Sequence, residues 1–321
     1  MHKRLFTLLL ATAALATPGA SPSAWAARCI IDDGGDRICL EAPARRIVPL
    51  YAAFTDILTD MHLEDRIAGR TKADDGPESA TPSIGTHMRP NMELVLGLRP
   101  DLALQMGGRA EAAQSVAALR NHGVPTAFFQ VRTFADLFSV IERIGTLTGA
   151  EDGAEELVRS LQRRLDALGD TLKNAPRPRP GVFFEVRYPN LLGAGPDSLV
   201  TDIIRAAGGV NVLAGEDASS GTGGAGGTGR TGRIVRLSEE ELLRLNPDVY
   251  CVQTGPMNKN PAPLADRPHF AVLRAVALGR VLVVDEHVFS RPGPKAVDAA
   301  ELLAAFLHPG LFPPAQEAVK P

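Results

Sequence analysis

Thr55-Asp-Ile-Leu-Thr-Asp-Met-His-Leu-Glu-Asp-Arg-Ile-Ala-Gly69 aligns without a gap on Thr201-Asp-Ile-Ile-Arg-Ala-Ala-Gly-Gly-Val-Asn-Val-Leu-Ala-Gly215, with five identical positions. A second pair stands at nearly the same offset: Asn91-Met-Glu-Leu-Val-Leu-Gly-Leu-Arg-Pro-Asp-Leu102 against Ser238-Glu-Glu-Glu-Leu-Leu-Arg-Leu-Asn-Pro-Asp-Val249. A period this long is not that of a solenoid and reads as one lobe duplicated. In each copy an apolar strand (47–51; 181–186) leads into an amphipathic helix, a loop, a short helix, a Pro-Asp stop and a second apolar strand. Alternating strands and helices predict parallel βαβ units. The fold class is therefore α/β, with two duplicated βαβ lobes carrying parallel sheets.

Between the copies, residues 151–175 place Leu157, Leu161, Leu165, Leu168 and Leu172 at helical spacing between charged faces, and the run ends at Pro176-Arg-Pro-Arg-Pro180. A helix of this length spans roughly 30 Å and joins the lobes as a stiff backbone. The N-terminal lobe then occupies residues 27–150 and continues with a helix from Ala110 to Asn121 and a strand over 124–130. The C-terminal lobe occupies 176–321 and closes with a strand and a helix. Residues 215–233 hold a Gly-rich tract. A phosphate loop must follow a strand and open a helix, whereas this tract follows a helix, so a disordered surface insertion is expected.

At the N-terminus, Met1-His-Lys-Arg4 precedes an apolar run over 5–16 and the small-residue pattern Ala24-Trp-Ala26. This reads as a secretory signal peptide, residues 1–26, cleaved after Ala26. Cys29 follows Arg28 and is a poor match to a lipoprotein acceptor, so free diffusion in the periplasm is expected. Cleavage leaves 295 residues, enough for two lobes, and moves the formal net charge from −3 to −5. That acidic balance suggests no nucleic-acid partner. Cys29 and Cys39 bracket a predicted hairpin turning about Gly34, which sets them opposite each other. In an oxidising compartment they form a structural disulfide worth on the order of 2–3 kcal/mol. Cys251, inside an apolar run, is expected to be a buried thiol.

In open α/β sheets, ligands bind beyond the carboxyl ends of the strands. Applied to each lobe, that rule selects Tyr51, the loop with His87 and Arg89, and Arg109 from the first, and Arg187, Tyr188, Gln253 and Arg291 from the second. Tyr51 and Tyr188 occupy comparable positions in the two copies, where a ring covers a flat ligand and its hydroxyl meets a polar edge; ordinary packing is the competing role. The arginines suit bidentate grip on ligand carboxylates. His87 could fill an open position on a metal carried by the ligand, with His287 as a second nitrogen. The seven histidines lack ligand spacing, which disfavours a resident zinc or manganese ion. No G-x-S-x-G, H-E-x-x-H or C-x-x-C motif occurs, so an enzyme is not expected.

The segments Ala44-Arg-Arg-Ile-Val-Pro-Leu50, Gly85 to Asn91-Met-Glu93, Leu98-Arg-Pro-Asp-Leu102, Gly193-Ala-Gly-Pro196, Ala207-Gly-Gly-Val-Asn211, Leu245-Asn-Pro-Asp248 and Phe289-Ser-Arg-Pro-Gly-Pro294 together resemble the periplasmic binding proteins of ABC importers for ferric siderophores, haem and cobalamin. The resemblance covers nearly the whole mature chain. It implies two lobes joined by a long helix, no intrinsic cofactor, and a small metal chelate carrying iron or cobalt bound without chemistry. It also implies a monomer that delivers this ligand to a membrane permease and its ATPase. Glu93 and Glu240 match the family's glutamates that pair with permease arginines, one on each lobe. The Gly-rich insertion and the absence of tryptophan beyond Trp25 depart from the pattern. Arginine-rich rims favour an anionic ferric chelate or haem over a corrinoid; a receptor that reports to a membrane sensor is a further alternative.

Overall fold

The computed structural model describes residues 27–74, 81–108, 110–214 and 232–312. The expected signal peptide (residues 1–26), Arg109 and residues 215–231 of the Gly-rich tract lie outside the described residues. The chain opens with β1 (Arg28–Ile31) and β2 (Arg37–Leu40), followed by β3 (Ile47–Pro49) and α1 (Ala52–Asp60). A small hairpin, β4 (Gly85–Thr86) and β5 (Arg89–Pro90), precedes α2 (Met92–Gly97), β6 (Leu102–Met106), α3 (Ala110–Asn121), β7 (Thr126–Phe129) and α4 (Phe134–Thr148). The long helix is α5 (Glu151–Leu172). Beyond it come β8 (Gly181–Arg187), β9 (Leu192–Ala194), α6 (Leu199–Ala206), β10 (Val210–Asn211), β11 (Ile234–Arg236) and α7 (Glu239–Leu245). The chain closes with β12 (Val249–Thr254), α8 (Arg274–Ala277), β13 (Val281–Asp285), α9 (Glu286–Phe289) and α10 (Ala296–Leu307).

The first sheet has the order β3-β6-β7 and is parallel throughout. The second has the order β11-β9-β8-β12-β13, with β10 also on β8. Its β8, β12, β13 and β10 are parallel, as the βαβ pattern predicts, while β9 and β11 add an antiparallel edge that the pattern does not contain. Side chains alternate across each strand. Ile47, Leu102, Leu104, Val182, Phe184, Val249 and Cys251 enter one core that spans both sheets. Val48 and Ala103 turn instead into a core of the first lobe, and Phe183, Tyr250 and Val252 into a core of the second. Each sheet is thus covered on both faces, which parallel strands require.

α5 packs against α4, α6 and α10. It buries Ala154, Leu161 and Leu168 and rests Leu157, Leu165 and Leu172 on the shared core. Its 22 residues make a rod of about 33 Å at 1.5 Å per residue. Arg164 ties this rod to α10, donating to Glu301 from Nε (2.9 Å) and Nη2 (2.6 Å) and to Asp298 at 2.6 Å. The β1–β2 hairpin pairs Cys29 with Cys39 in register, and the two are joined by a disulfide. Its turn carboxylates finish the exposed edge of β7: Asp32 accepts the Phe128 N–H at 3.0 Å and Asp33 the Gln130 N–H at 2.6 Å. Arg120 and Arg143 hold these carboxylates at 2.6 Å. An edge strand that would otherwise present open N–H groups is closed this way. Among the described residues no helix is long and apolar enough to cross a membrane.

Candidate functional site at the strand ends between the sheets

The first strand stops at Pro49, and the Leu50 N–H still donates to the Leu104 carbonyl (2.8 Å) before the chain turns into α1. Tyr51 is the N-cap residue of α1 and lies half-buried at the carboxyl end of the sheet. The β4–β5 hairpin carries His87 at its tip, and the ring of Tyr51 meets that of His87 edge-on, 5.0 Å between centroids. Arg89 is exposed beside it; the Arg89 N–H donates to Thr86 Oγ1 (3.1 Å), and its guanidinium makes no ion pair among the described residues. Sequence-distant Tyr51, His87 and Arg89 are therefore brought to one rim.

On the second sheet, Arg187 ends β8 exposed and without an ion pair among the described residues. Tyr188, next along, is half-buried, and the Arg267 guanidinium covers its ring at 4.0 Å. Below it lies a buried polar group absent from the sequence reading. Arg267 binds both Glu185 oxygens, Nη2 to Oε1 at 3.1 Å, with side chains 1% and 0% exposed. Glu185 also accepts from the Tyr250 hydroxyl at 2.7 Å and from Asn258 Nδ2 at 3.1 Å. Burial, then the Glu185 charge, pushes the Tyr250 phenol well above its ordinary pKa, so it remains a donor. The signal was a lone glutamate inside the apolar strand Val-Phe-Phe-Glu-Val, because a buried carboxylate requires a partner.

Two expected ligand contacts are internal. Gln253 is fully buried, accepts a short hydrogen bond from Ser290 Oγ and donates to the Val186 carbonyl at 3.4 Å. Arg291, 5% exposed, donates from Nη1 to Asp56 (3.2 Å) and from Nη2 to the Ala73 carbonyl (2.7 Å). Lys295 stands 3.6 Å from the same aspartate. Arg291 thus joins the second lobe to α1 of the first instead of facing a ligand, and the physical reason is that its charge already has a carboxylate.

A second arginine also crosses, at Arg233, just before β11. Its backbone is anchored by the Gly195 N–H (2.8 Å) and by Gly232, whose N–H donates to Asp197 (2.7 Å). Only glycine fits at 195, where a Cβ would lie 2.2 Å from the Gly232 carbonyl oxygen. The side chain reaches the strand ends of the first sheet and donates to the carbonyls of Gly107 (3.2 Å) and Val131 (3.4 Å). Gly108, at φ +117°, leaves room for it, since a Cβ there would come within 2.7 Å of Nη1. Burial and then the charge of Arg132 lower the Arg233 pKa, while Tyr51, Asp136 and Asp197 are near enough to act on it in the opposite direction. No carboxylate among the described residues pairs with it.

His287 lies half-buried in α9, its N–H donating to Asp285 (2.7 Å). Among the described residues no group of three His, Cys, Asp or Glu side chains could hold a metal ion. Glu93 and Glu240 each stand at the second position of an exposed helix N-terminus, capped by Asn91 onto Leu94 N–H (3.1 Å) and by Ser238 onto Glu241 N–H (3.2 Å). The duplication therefore extends to local geometry. A separate groove of about 510 Å³, lined by Val252, Leu264, Val276, Val281 and Val283 among others, lies over β12 and β13 and has no charged residue in its wall.

Among related proteins, an uncharacterized ABC transporter substrate-binding lipoprotein of Bacillus subtilis is 26% identical over 289 residues, 88% of this chain and 86% of its own. A cobalamin-binding protein of Halobacterium salinarum is 25% identical over 287 residues, 86% of this chain and 73% of its own. The solved structure of a periplasmic heme binding protein from Pseudomonas aeruginosa shares the fold, with a TM-score of 0.70 at 22% identity over 84% of this chain and 95% of that one. Residues 47–288, running from β3 into α9 and so through both sheets and the rims between them, match the family described as periplasmic binding protein. The chain belongs to the periplasmic binding protein family, a solute-binding class serving transport.

Proposed function

We propose that this chain is the periplasmic receptor of an ABC importer and takes up an anionic metal chelate, a ferric siderophore or haem, between lobes 27–150 and 176–321 joined by residues 151–175. The observation that carries this reading is the company of Tyr51 and the hairpin-tip His87 with arginines that make no ion pair among the described residues: Arg89, Arg187 and Arg233. Tyr51 and Tyr188 cover the ligand, His87 approaches its metal, and Arg89 and Arg187 grip its acidic groups. The iron or cobalt belongs to the ligand. A corrinoid is the second reading, supported by the name of the Halobacterium relative. Exposed Glu93 and Glu240, one per lobe at matching helix starts, suit two basic sockets on a permease.

Native mass spectrometry of the exported protein offered haemin, a ferric siderophore and cobalamin tests the ligand class. One iron chelate should be retained at one per chain and cobalamin should not; retention of cobalamin alone would transfer the proposal to the corrinoid reading. Uptake by cells carrying both Glu93→Arg and Glu240→Arg should be lost while affinity in solution is unchanged.

A further inference from the structure

Resting on that reading, we propose that Arg233 is the residue that selects acidic ligands: its guanidinium rests on two lobe-one carbonyls, and a ligand carboxylate takes their place. Arg233 leaves the second lobe and ends against the first, so its guanidinium stands where both lobes and a bound molecule would meet. The Gly107 and Val131 carbonyls occupy two of its five N–H donors. Neutral carbonyls solvate a cation but do not neutralise it. Arg132, whose Nη2 donates to Gln130 Oε1 at 2.9 Å, adds a second positive charge nearby. Asp136 and Asp197 act on Arg233 from a distance, but no carboxylate among the described residues pairs with it, so two neighbouring cations, one of them half-buried, make a place where an anion relieves an existing cost. The carbonyl contacts, at 3.2 and 3.4 Å, are also longer than charge-assisted bonds to a carboxylate, which run near 2.7–2.9 Å. Exchange of partners therefore improves the geometry as well as the charge balance.

Arg291 supplies the internal contrast, since it crosses the same boundary but already holds Asp56 and the Ala73 carbonyl. Of these two crossing arginines, Arg233 is the one with no carboxylate partner among the described residues.

The experiment compares ligand pairs that differ in acidic groups: haemin against its dimethyl ester, and ferric citrate against the ferric complex of a hydroxamate without carboxylates. Wild-type protein should prefer the acidic member of at least one pair. Arg233→Gln should weaken that member roughly tenfold to a hundredfold, the scale of one charge-assisted contact, and leave the neutral member within about twofold. Arg233→Lys should recover part of the preference, because it restores charge without the planar fork. Circular dichroism melting of each variant separates loss of binding from loss of fold. A wild type indifferent to the acidic groups, or a preference that survives in Arg233→Gln, would overturn the inference while leaving chelate binding intact. If the wild type binds no member of either pair, the proposed ligand class fails and the inference falls with it.

Discussion

Arg291 and Arg233 both reach from the second lobe to the first, yet one is sealed against a carboxylate and the other rests on carbonyls at a half-open rim. Arg291 packs beside Gly293, where an added Cβ would come within 3.3 Å of Ala53 Cβ, so backbone and charge close together at that point. At Arg233 the approach is by a single side chain beside the Tyr51 rim. The difference teaches where the two lobes are held and where they leave chemistry to a third molecule. Arg267, buried wholly within the second lobe on Glu185, marks the far end of the same scale. Ranked by burial and by partner charge, the three arginines should differ in what their removal does to the unliganded fold.

The largest effect is expected at Arg267→Met, which strands the fully buried Glu185. Breaking such a pair costs about 3–5 kcal/mol, to be read from urea unfolding; a loss below 1 kcal/mol would show that Glu185 finds another proton or partner. Arg291→Met should follow at about 2–3 kcal/mol, less because Asp56 is 17% exposed and keeps Lys295 at 3.6 Å. Equal losses at 267 and 291 would break the ranking.

High pH offers a way to sharpen the comparison through buried groups other than the arginines. Two sources of lost stability are identified: the Tyr250 phenol, which burial holds well above its ordinary range, and Cys251, where burial pushes the thiol from 9.0 to about 12. The folded pKa of Cys251 lies above the unfolded value, so its contribution is complete below pH 9 and is lost as pH rises toward 12, with a slope of up to about 1.4 kcal/mol per pH unit. Cys251→Val should flatten the fall in melting temperature between pH 9 and 11 while leaving the ranking of the arginines unchanged. A slope identical to that of the parent would remove Cys251 as a cause. The smallest effect belongs to Arg233→Met, which should change the stability of the unliganded protein by no more than about 0.5 kcal/mol, because lost carbonyl contacts and relieved desolvation oppose each other. A loss as large as that of Arg291→Met would make Arg233 a second structural clasp.

Local order was readable wherever one short stretch decides it. The Leu157–Leu172 spacing located α5, Pro-Asp at 100–101 and 247–248 preceded β6 and β12, and the hairpin placed Cys29 opposite Cys39. α4 shows the same legibility although the repeat did not point to it: Thr133 and Asp136 form a capping box and Gly149 takes the left-handed turn at its end. The antiparallel β9 and β11 were not readable, since three residues each carry too little period to separate a strand from a loop.

What the sequence by itself determined is the duplicated α/β plan, the connecting helix and the rims on which a ligand-binding residue can stand. Strand ends follow from periodicity and turn residues that act within a few positions of each other. Which arginine at those rims still has charge to offer was decided only in three dimensions. Arg291 meets Asp56 across 235 positions of sequence, and Arg233 meets Gly107 across 126. No local pattern encodes such pairs, because an ion pair forms wherever packing brings two groups within a few ångströms, and burial then sets whether that charge is satisfied or waiting.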